Sequence, residues 1–589
     1  MGQNRSFWKR LELRCGDKVS QVRRSRGSEG RKAPPPCNLV VSRLWLARPA
    51  MPTIAELVVQ SLKNAGTPRV FGVPGGGSSL ELVEAARAGG LPFILVHQES
   101  AACTMAAVTG ELTGRPGAAL ATLGPGAASA ANGLAYASLD RAPMIFLTDR
   151  HPQAALEFTT HQTIDHAALF APVSRKSLVL TPDSALEAIQ LALRLSLEEP
   201  RGPVHLDLPS DLAGQSARTQ AIEVSPASSP LPDSRLLEEA AKLLTTSRRP
   251  VLIAGLECRG LEEAKLLRDL AESSPMPVLT TYKAKGILPE THPLALGVFT
   301  GAVWEEAVVG SADLIVTVGL DPVELIPRAW PYSAPVVQLS RIHHSSRYFT
   351  PRLEVLGDLE LILDALAPRL GSHKADWDLS QIERLKRSQR ARLAIPTSGL
   401  APHRVIEILR SLSPASTIAT VDSGAHMFPA TTFWEADEPA SFLISNGLAT
   451  MGFALPAAVA AQLVHPERRV VCLTGDGGLM MVASELETVR RLDLPIVVVV
   501  FNDGALSLIR AKQVQRGYDQ AATKYSGPDF EAMARSFGLA SFRAVNEPEL
   551  HQAFREALAA QEPALVDAHI DASAYPRVLE AIRGAPRKE

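Results

Sequence analysis

Cysteine, aromatic residues and excess charge are all scarce in this chain of 589 residues. Its five cysteines are scattered and show no CxxC spacing, which argues against a disulfide framework or a zinc site and fits a reducing compartment. The formal net charge of −2 gives no support for binding to nucleic acid or to a membrane surface. No apolar run reaches about 18 residues, so no membrane span is predicted.

The first 50 residues differ from the rest of the chain. They contain twelve Lys and Arg against three Asp and Glu, together with a run of three prolines at positions 34–36. A basic segment of this composition does not favour a folded domain, so residues 1–51 are predicted to be a disordered extension. Three interpretations stay open: an upstream extension before an effective start at Met51, an organelle transit peptide, and a myristoylation signal at Met1-Gly2.

From residue 52 onward, short apolar strands alternate with helical stretches and glycine turns. Strands are predicted, for example, at residues 69–73, 118–122 and 144–148, and the first two run into Pro-Gly-Gly and Gly-Pro-Gly turns. Continuous apolar strands separated by helices indicate parallel βαβ units that are buried on both faces. The chain is therefore predicted to be an α/β protein with three doubly wound parallel-sheet domains.

The predicted domain limits follow changes in composition. Residues 213–235 are rich in Ser, Ala, Pro and Thr and indicate a linker, and residues 371–400 are charged and helical. The three domains are accordingly placed at 52–215, 236–370 and 401–575.

Two turns in the third domain carry oxygen ligands. Residues 475–478 read Gly-Asp-Gly-Gly, and Asn502 follows Asp476 by 26 residues, each at the end of an apolar strand. The intervening helix, expected at about 482–491, makes a crossover between parallel strands, so both turns emerge at one edge of the sheet. Asp476, Asn502 and a carbonyl near Gly504 offer the oxygens that Mg²⁺ prefers, and the glycines admit a diphosphate. Gly-Asp-Gly alone is also a common plain turn.

These residues resemble the cofactor motif of thiamine-diphosphate (ThDP) enzymes, and the chain is similar to the acetolactate synthase-like superfamily over about residues 52–575. The similarity includes Asn446-Gly447-Leu448-Ala449-Thr450-Met451 and, in the middle domain, Leu279-Thr280-Thr281 with Lys285-Gly286. The resemblance implies three domains: a pyrimidine-binding domain, a central domain and a diphosphate-binding domain. It also implies a ThDP- and Mg²⁺-dependent enzyme that makes or breaks carbon–carbon bonds, a transferase or a lyase.

The resemblance places the catalytic carboxylate at Glu99. The family's glutamate hydrogen-bonds N1′ of the aminopyrimidine and so promotes loss of the C2 proton of the cofactor, which carries the organic chemistry. Here Gln98 stands where a histidine is usual, and a slip of one residue would put Gln98 in the catalytic place. The ungapped register favours Glu99. A glutamate at a helix N-terminus, favoured by the helix dipole, is the plain alternative.

Other positions carry over by match. The resemblance assigns the following to the cofactor: Pro74, Gly75, Glu99, Gly424, Ala425, His426, Ala449, Met451, Gly475, Asp476, Gly477, Gly478, Asn502 and Gly504. Met451 corresponds to the residue that supports the bent cofactor, and Gln162 and Leu508 correspond to substrate-facing positions. Each has an ordinary structural alternative: a core methionine, an exposed glutamine, a tight turn. Arg510 and Lys512 suit an anionic substrate or a solvated basic face.

The implied reaction is decarboxylation and carboligation of a 2-oxo acid such as pyruvate, as in acetolactate synthase, or action on a 2-hydroxy carbonyl compound. No tryptophan follows Asn502 as in anabolic members, and no arginine-bearing FAD segment is found, with residues 319–324 standing there instead. The sequence thus gives no support for FAD. The Gln162-x-x-Asp165 pattern keeps 2-hydroxyacyl-CoA lyase as an alternative. Because Glu99 and the 475–504 site usually lie on different subunits, a homodimer or homotetramer is implied.

Proteins of other classes fit less well. A catalytically silent protein that retains the fold for binding or regulation would lack one of Glu99, Asp476 and Asn502, and all three are present. No GxGxxG follows a first strand and no GxxxxGK[ST] occurs, which argues against an NAD-dependent or P-loop enzyme. A cytoplasmic location is expected unless residues 1–50 direct the chain to an organelle.

Overall fold

Three parallel six-stranded sheets organise the chain, and helices cover both faces of each sheet. The computed structural model describes residues 51–218, 230–345 and 348–584. The interpretations of residues 1–50 lie outside the described residues. The α/β fold with three doubly wound parallel sheets, predicted from the sequence, is confirmed.

The first sheet has the strand order β2-β1-β3-β4-β6-β5. Its strands are β1 (Val70–Val73), β2 (Phe93–Leu95), β3 (Gly117–Ala121), β4 (Met144–Arg150), β5 (Lys176–Val179) and β6 (Pro203–Pro209). Its helices are α1 (Ile54–Asn64), α2 (Ser78–Gly89), α3 (Glu99–Thr113), α4 (Pro125–Leu139), α5 (His166–Phe170) and α6 (Ala185–Leu197). Strand β5 has no counterpart in the sequence prediction because its residues are only partly buried.

The second sheet has a different order, β12-β11-β10-β7-β8-β9. Its strands are β7 (Pro250–Ala254), β8 (Val278–Thr280), β9 (Ala295–Val298), β10 (Leu314–Val318), β11 (Val336–Ser340) and β12 (Leu353–Leu356). Its helices are α7 (Ser234–Thr246), α8 (Leu261–Ser273), α9 (Glu306–Val309) and α10 (Leu359–Arg369), and α11 (Leu379–Leu393) follows. Helix α7 begins inside the stretch expected to be linker, because Asp233 caps it by accepting the backbone N–H of Arg235.

The third sheet repeats the topology of the first, in the order β14-β13-β15-β16-β18-β17. Its strands are β13 (Ile418–Val421), β14 (Phe442–Ile444), β15 (Val470–Gly475), β16 (Ile496–Asn502), β17 (Ala540–Ala544) and β18 (Ala564–His569). Its helices are α12 (Pro402–Leu412), α13 (Met427–Phe433), α14 (Ala454–Val464), α15 (Asp476–Val482), α16 (Glu485–Arg491), α17 (Ser507–Gln515), α18 (Phe530–Ser536), α19 (Glu547–Ala559) and α20 (Tyr575–Arg583).

The crossover between β15 and β16 corrects one expectation. A single helix was expected at about 482–491, but two helices, α15 and α16, occupy this segment, and the first begins at Asp476 itself. Strand β16 is buried at every position, as a central strand covered on both faces must be. Among the described residues, no helix is long and apolar enough to cross a membrane.

Candidate functional site

A cavity of about 450 Å³ opens at the carboxyl edge of the third sheet. It lies where strands β13 and β15 are neighbours and the strand order reverses direction, the usual ligand site of such sheets. Ten of the residues predicted from the sequence line it: Gly424, Ala425, His426, Ala449, Met451, Gly475, Asp476, Gly477, Gly478 and Leu508. The predicted residues Asn502 and Gly504 do not line the cavity themselves, but their chain neighbours Phe501, Asp503 and Ala505 do.

Asp476 and Asn502 leave the sheet side by side. Strands β15 and β16 are parallel and pair Gly475 with Phe501, so the next residue of each strand begins its turn at the same level. Both side chains are largely buried, with Asp476 3% and Asn502 9% exposed. The Asn502 amide donates to Asp567 Oδ1 at 2.9 Å, which fixes its orientation and leaves its oxygen available as a ligand.

The Asp476 carboxylate already accepts four hydrogen bonds. Oδ2 accepts the backbone N–H groups of Asp503 (3.2 Å) and Gly504 (2.7 Å), while Oδ1 accepts the N–H of Gly477 (2.7 Å) and the hydroxyl of Tyr525 (2.6 Å). The donor set of carboxylate, amide and nearby carbonyls suits Mg²⁺. A metal ion at Oδ1 would have to replace the Tyr525 hydroxyl, since the backbone donors are fixed by the turn.

Asp422, at the end of β13, organises this edge and was not identified from the sequence. Its carboxylate accepts the N–H groups of Gly452 and Phe453, both at 3.1 Å, and the hydroxyl of Thr474 at 3.0 Å. Burial raises its pKa to about 6. A Cβ atom on Gly478 would overlap Asp422 Oδ2, so only glycine allows α15 to approach so closely. Asp422 thereby links the loop that carries Met451 to the turn that carries Asp476.

His426 presents an unsatisfied nitrogen at the same edge. Its ring is 4% exposed and stacks on Phe501 with 5.2 Å between ring centroids. Burial lowers its pKa to about 4, so the imidazole is neutral at physiological pH. Its Nε2 atom is buried and has no hydrogen-bond partner among the described residues. A buried polar atom without a partner is costly, and a polar group of a bound cofactor would satisfy it.

The first sheet presents Glu99 and its neighbours at the corresponding edge. Glu99 is the first residue of α3 and is half-buried, so the structure accommodates both the catalytic interpretation and the helix-dipole one. A Cβ atom on Gly126 would lie 3.2 Å from Glu99 Oε1. The turn with Pro74 and Gly75 follows β1, and a side chain at Gly75 would overlap the Thr122 hydroxyl that follows β3.

Glu99 does not line the cavity that contains Asp476 within one chain. Gln162 lines a separate cavity of about 320 Å³, next to the same edge of the first sheet. It is exposed and adopts a left-handed conformation with φ of 56°. A Cβ atom on Gly124 would come within 2.6 Å of the Gln162 carbonyl oxygen, so the segment is held tightly against the Gly-Pro-Gly turn.

A buried cluster of His166, His205 and Asp207 supports that turn. Their potential ligand atoms lie within 4.8 Å of one another, a spacing suited to a metal ion. However, His166 Nδ1 contacts Asp207 at 2.8 Å and its Nε2 accepts the Gly124 N–H at 3.3 Å, while His205 contacts Thr148 and Ser177 at 2.7 and 2.6 Å. Every ring nitrogen therefore has a partner, and the cluster is a hydrogen-bond network that positions the turn. The sequence offered no local signal for it.

A second network joins all three sheets. The ammonium of Lys283, which follows β8, contacts Glu111 at 2.7 Å and Asp140 at 3.5 Å. Glu111 lies in the last turn of α3, and Asp140 directly follows α4. Asp140 in turn accepts the backbone N–H groups of Asn446 (3.0 Å) and Gly447 (3.3 Å), which begin the segment leading to Met451. This segment is thus held from outside its own domain.

The carboxyl edge of the second sheet is filled by its own side chains. At its switch point, between β7 and β10, the Glu324 carboxylate accepts the N–H groups of Leu256 (2.7 Å) and Asp321 (3.2 Å) and the hydroxyl of Thr281 (2.5 Å). Glu324 is 4% exposed, and burial raises its pKa to about 8. These amides would meet the phosphates of a dinucleotide in a sheet of this kind, so the residues present do not fit FAD there.

Three family models match the chain in the order of its sheets. The N-terminal TPP binding domain of thiamine pyrophosphate enzymes matches residues 52–169, the central domain matches 237–366, and the C-terminal TPP binding domain matches 422–568. Together with the three sheets and the cavity at the third, these matches define a thiamine-diphosphate-dependent enzyme that forms carbon–carbon bonds.

Relatives narrow the family further. The chain is 31% identical over 554 residues to the probable acetolactate synthase large subunit of Methanocaldococcus jannaschii, which covers 89% of this chain and 93% of that protein. It is 29% identical to acetolactate synthase of Bacillus subtilis (88% of this chain, 93% of that protein) and to acetolactate synthase isozyme 3 large subunit of Escherichia coli (86% and 92%). The chain belongs to the acetolactate synthase-like family of thiamine pyrophosphate enzymes, as its sequence motifs predicted.

Proposed function

We propose that the protein decarboxylates a 2-oxo acid such as pyruvate and joins the resulting two-carbon unit to a second carbonyl compound, with ThDP and Mg²⁺. The observation that carries this proposal is the cavity at the third sheet, where Asp476 and the unsatisfied His426 nitrogen meet beside glycine turns and next to the strand that ends at Asn502. The names of the relatives support a 2-oxo acid as the donor. The three domains at 52–215, 236–370 and 401–575 would be pyrimidine-binding, central and diphosphate-binding.

Each residue has a defined task in this proposal. When bound, ThDP supplies a carbon nucleophile that attacks a carbonyl group. Asp476, Asn502 and a carbonyl near Gly504 would hold Mg²⁺ and, through it, the diphosphate. His426 Nε2 and the residues of 475–478 would contact the phosphate oxygens, and Met451 would support the cofactor's bend. Leu508 and Gln162 would face the substrate.

Glu99 would act from a second copy of the chain. It is absent from the lining of the Asp476 cavity in its own chain, yet it follows a strand end of the first sheet, whose strand order matches that of the third. A two-fold arrangement that apposes these two edges would complete two identical sites. Glu99 would then hydrogen-bond the pyrimidine ring, and a homodimer or homotetramer would be the active form.

We further propose that FAD is not required. Two amides at the switch point of the second sheet, those of Leu256 and Asp321, are already bound by Glu324 and are therefore not free to bind a dinucleotide phosphate. The purified protein is expected to show no flavin absorbance band.

Among the described residues, Cys103, Cys258 and Cys472 are buried and free, which supports a reducing, cytoplasmic location.

A 2-hydroxyacyl-CoA lyase is the second candidate. Gln162 and Asp165 line one cavity, as the pattern that suggested this activity requires, and cations line the outer part of the Asp476 cavity. A catalytically silent binding or regulatory protein fits less well, because Glu99, Asp476 and Asn502 all occupy strand or helix termini at the two matching edges.

The test is a substrate screen on the purified full-length chain with pyruvate, glyoxylate, benzoin and a 2-hydroxyacyl-CoA, with and without ThDP and Mg²⁺. We expect carbon dioxide release and a carboligation product from pyruvate only when both cofactors are present. Cleavage of the 2-hydroxyacyl-CoA instead would favour the lyase. Absence of turnover with every substrate, in protein shown to bind ThDP, would contradict both.

A further inference from the structure

The cavity at the third sheet extends beyond its glycine turns onto two helices. Helix α17 contributes Leu508 and Lys512 to the wall, and α20 contributes Tyr575 and Arg583. Lys512 lies five residues into α17, about 8 Å along the helix axis from its first residue. Two cations therefore line a part of the cavity that is displaced from the turns carrying Asp476 and Asn502.

Lys512 is a half-buried cation without a counter-ion. Its ammonium group has neither a hydrogen bond nor an ion pair with any residue in the described part of the chain. Burial lowers its pKa, and the positive charges of Arg583 and Arg516 lower it further. An ammonium group that loses water and faces other cations is destabilised unless an anion compensates for it.

Arg583, the second cation, is exposed and is the last residue of α20. Its guanidinium lies 5.8 Å from the ring centroid of Phe428, and within the described ranges no carboxylate pairs with it. The carboxylates that line the cavity have other roles: those of Glu324 and Asp476 are bound to backbone amides. Asp503 accepts the N–H of Ala505 at 3.1 Å.

Two half-buried cations elsewhere in this protein are paired with carboxylates. Arg141 contacts Asp321 at 2.7 Å, and Lys283 contacts Glu111 at the same distance. Lys512 has no such carboxylate among the described residues, although it lies in the wall of the cavity and near the positive charge of Arg583. An anion supplied by a ligand would complete the pattern seen elsewhere.

We propose that Lys512 and Arg583 form a subsite for an anionic group of the substrate, a phosphate or a carboxylate remote from the reacting carbonyl. The inference rests on the proposed function, since it takes the cavity to hold ThDP and a carbonyl substrate. Lysine offers a point charge and arginine a planar pair of donors, which together bind oxyanions well. A substrate that is only a short 2-oxo acid would leave this subsite without its anion.

Two sources of the anion are distinguished by direct binding. Isothermal titration of the full-length protein, loaded with ThDP and Mg²⁺, is carried out with coenzyme A as the phosphate source and glutarate as the carboxylate source. We expect one of the two to bind, and binding to weaken at least about tenfold in Lys512→Met and in Arg583→Met. Arg516→Met is the matched control, because Arg516 is exposed directly after the same helix but does not line the cavity.

Three results would overturn the proposal: no binding of either probe to the wild type, equal weakening in the Arg516 control, or a loss of ThDP affinity in the two variants that accounts for the effect. The last result would assign the cations to the cofactor's diphosphate. Because binding is measured without turnover, a protein that binds the anion but fails to carboligate would contradict the proposed function and leave the subsite intact.

Discussion

The second and third sheets use the same kind of edge in opposite ways. Both are parallel, six-stranded and doubly wound, and in both the strand order reverses at a switch point. At the third sheet, glycine turns and the unsatisfied His426 nitrogen surround an open cavity. At the second sheet, the carboxylate of Glu324 binds the amides that follow β7 and β10.

The difference shows that a ligand-binding edge depends on which group satisfies its backbone donors. In the second sheet the buried carboxylate of Glu324 does so, although Glu324 itself lines the cavity of the third sheet. In the third sheet the carboxylate of Asp476 binds the amides of its own turn and faces the cavity, so it remains available to a cation. Fold topology alone would have assigned ligands to both edges.

The largest effect is expected when the Asp476 carboxylate is removed from the edge of the third sheet. Asp476→Ala should abolish ThDP binding, with affinity lowered by more than about 100-fold, because both the Mg²⁺ ligand and the acceptor for the Gly504 amide are lost. Titration calorimetry with ThDP and Mg²⁺ measures this. The exposed Asp519→Ala is the control and should bind like the wild type. Normal ThDP affinity in Asp476→Ala would end the assignment of the third sheet as the cofactor edge.

The next effect concerns the first sheet, whose strand order matches that of the third. Glu99→Gln should reduce turnover by about 10²–10⁴-fold while ThDP still binds, because the amide cannot share a proton with the pyrimidine. Single-turnover kinetics on cofactor-loaded protein separates the two quantities. The control is Glu111→Gln in the same helix, where the carboxylate accepts hydrogen bonds from Tyr136 and Lys283. It tests whether the loss of any carboxylate of α3 reduces turnover to the same extent. Full turnover in Glu99→Gln would remove the first sheet from the active site.

A smaller effect, on thermal stability, is expected at the edge of the second sheet, where Glu324 binds the backbone amides. Because burial raises the pKa of Glu324 to about 8, this group favours the folded state below pH 4.5, and its contribution is lost as the pH rises towards 8. Glu324→Gln, which stays neutral, should therefore raise the melting temperature by about 1–3 °C at pH 8 and have little effect at pH 5. Thermal unfolding at the two pH values tests this. An equal shift at both would show that Glu324 is not protonated in the folded protein.

The smallest effect is expected at Tyr525. Its hydroxyl donates to the Asp476 oxygen that a metal ion would use. Tyr525→Phe therefore removes a competing hydrogen bond that contributes about 1 kcal/mol. The Mg²⁺ affinity of the ThDP complex should rise about fivefold. The exposed Tyr518→Phe serves as control. A decrease in affinity would mean that Tyr525 supports the metal ion instead of competing with it.

The sequence predicted the three sheets because continuous apolar strands and glycine turns are local signals. It also predicted that Asp476 and Asn502 lie at one edge, since consecutive parallel strands end there, whereas the other residues around Asp476 were assigned through the family resemblance. It did not indicate Asp422, Lys283 or the His166 cluster, whose roles depend on partners far away in the chain. The break between α15 and α16 was likewise missed, because residues 479–491 contain neither proline nor glycine.

The contacts between domains make the third domain unsuitable for use as a separate cofactor-binding module. Lys283 of the second domain contacts Asp140 of the first, and Asp140 in turn binds backbone amides of the third. A fragment comprising the third domain alone would keep Asp476 and Asn502 but lose Asp140, which holds the amides of Asn446 and Gly447. Domain shuffling between relatives would meet the same obstacle unless Glu111, Asp140 and Lys283 were transferred as a set.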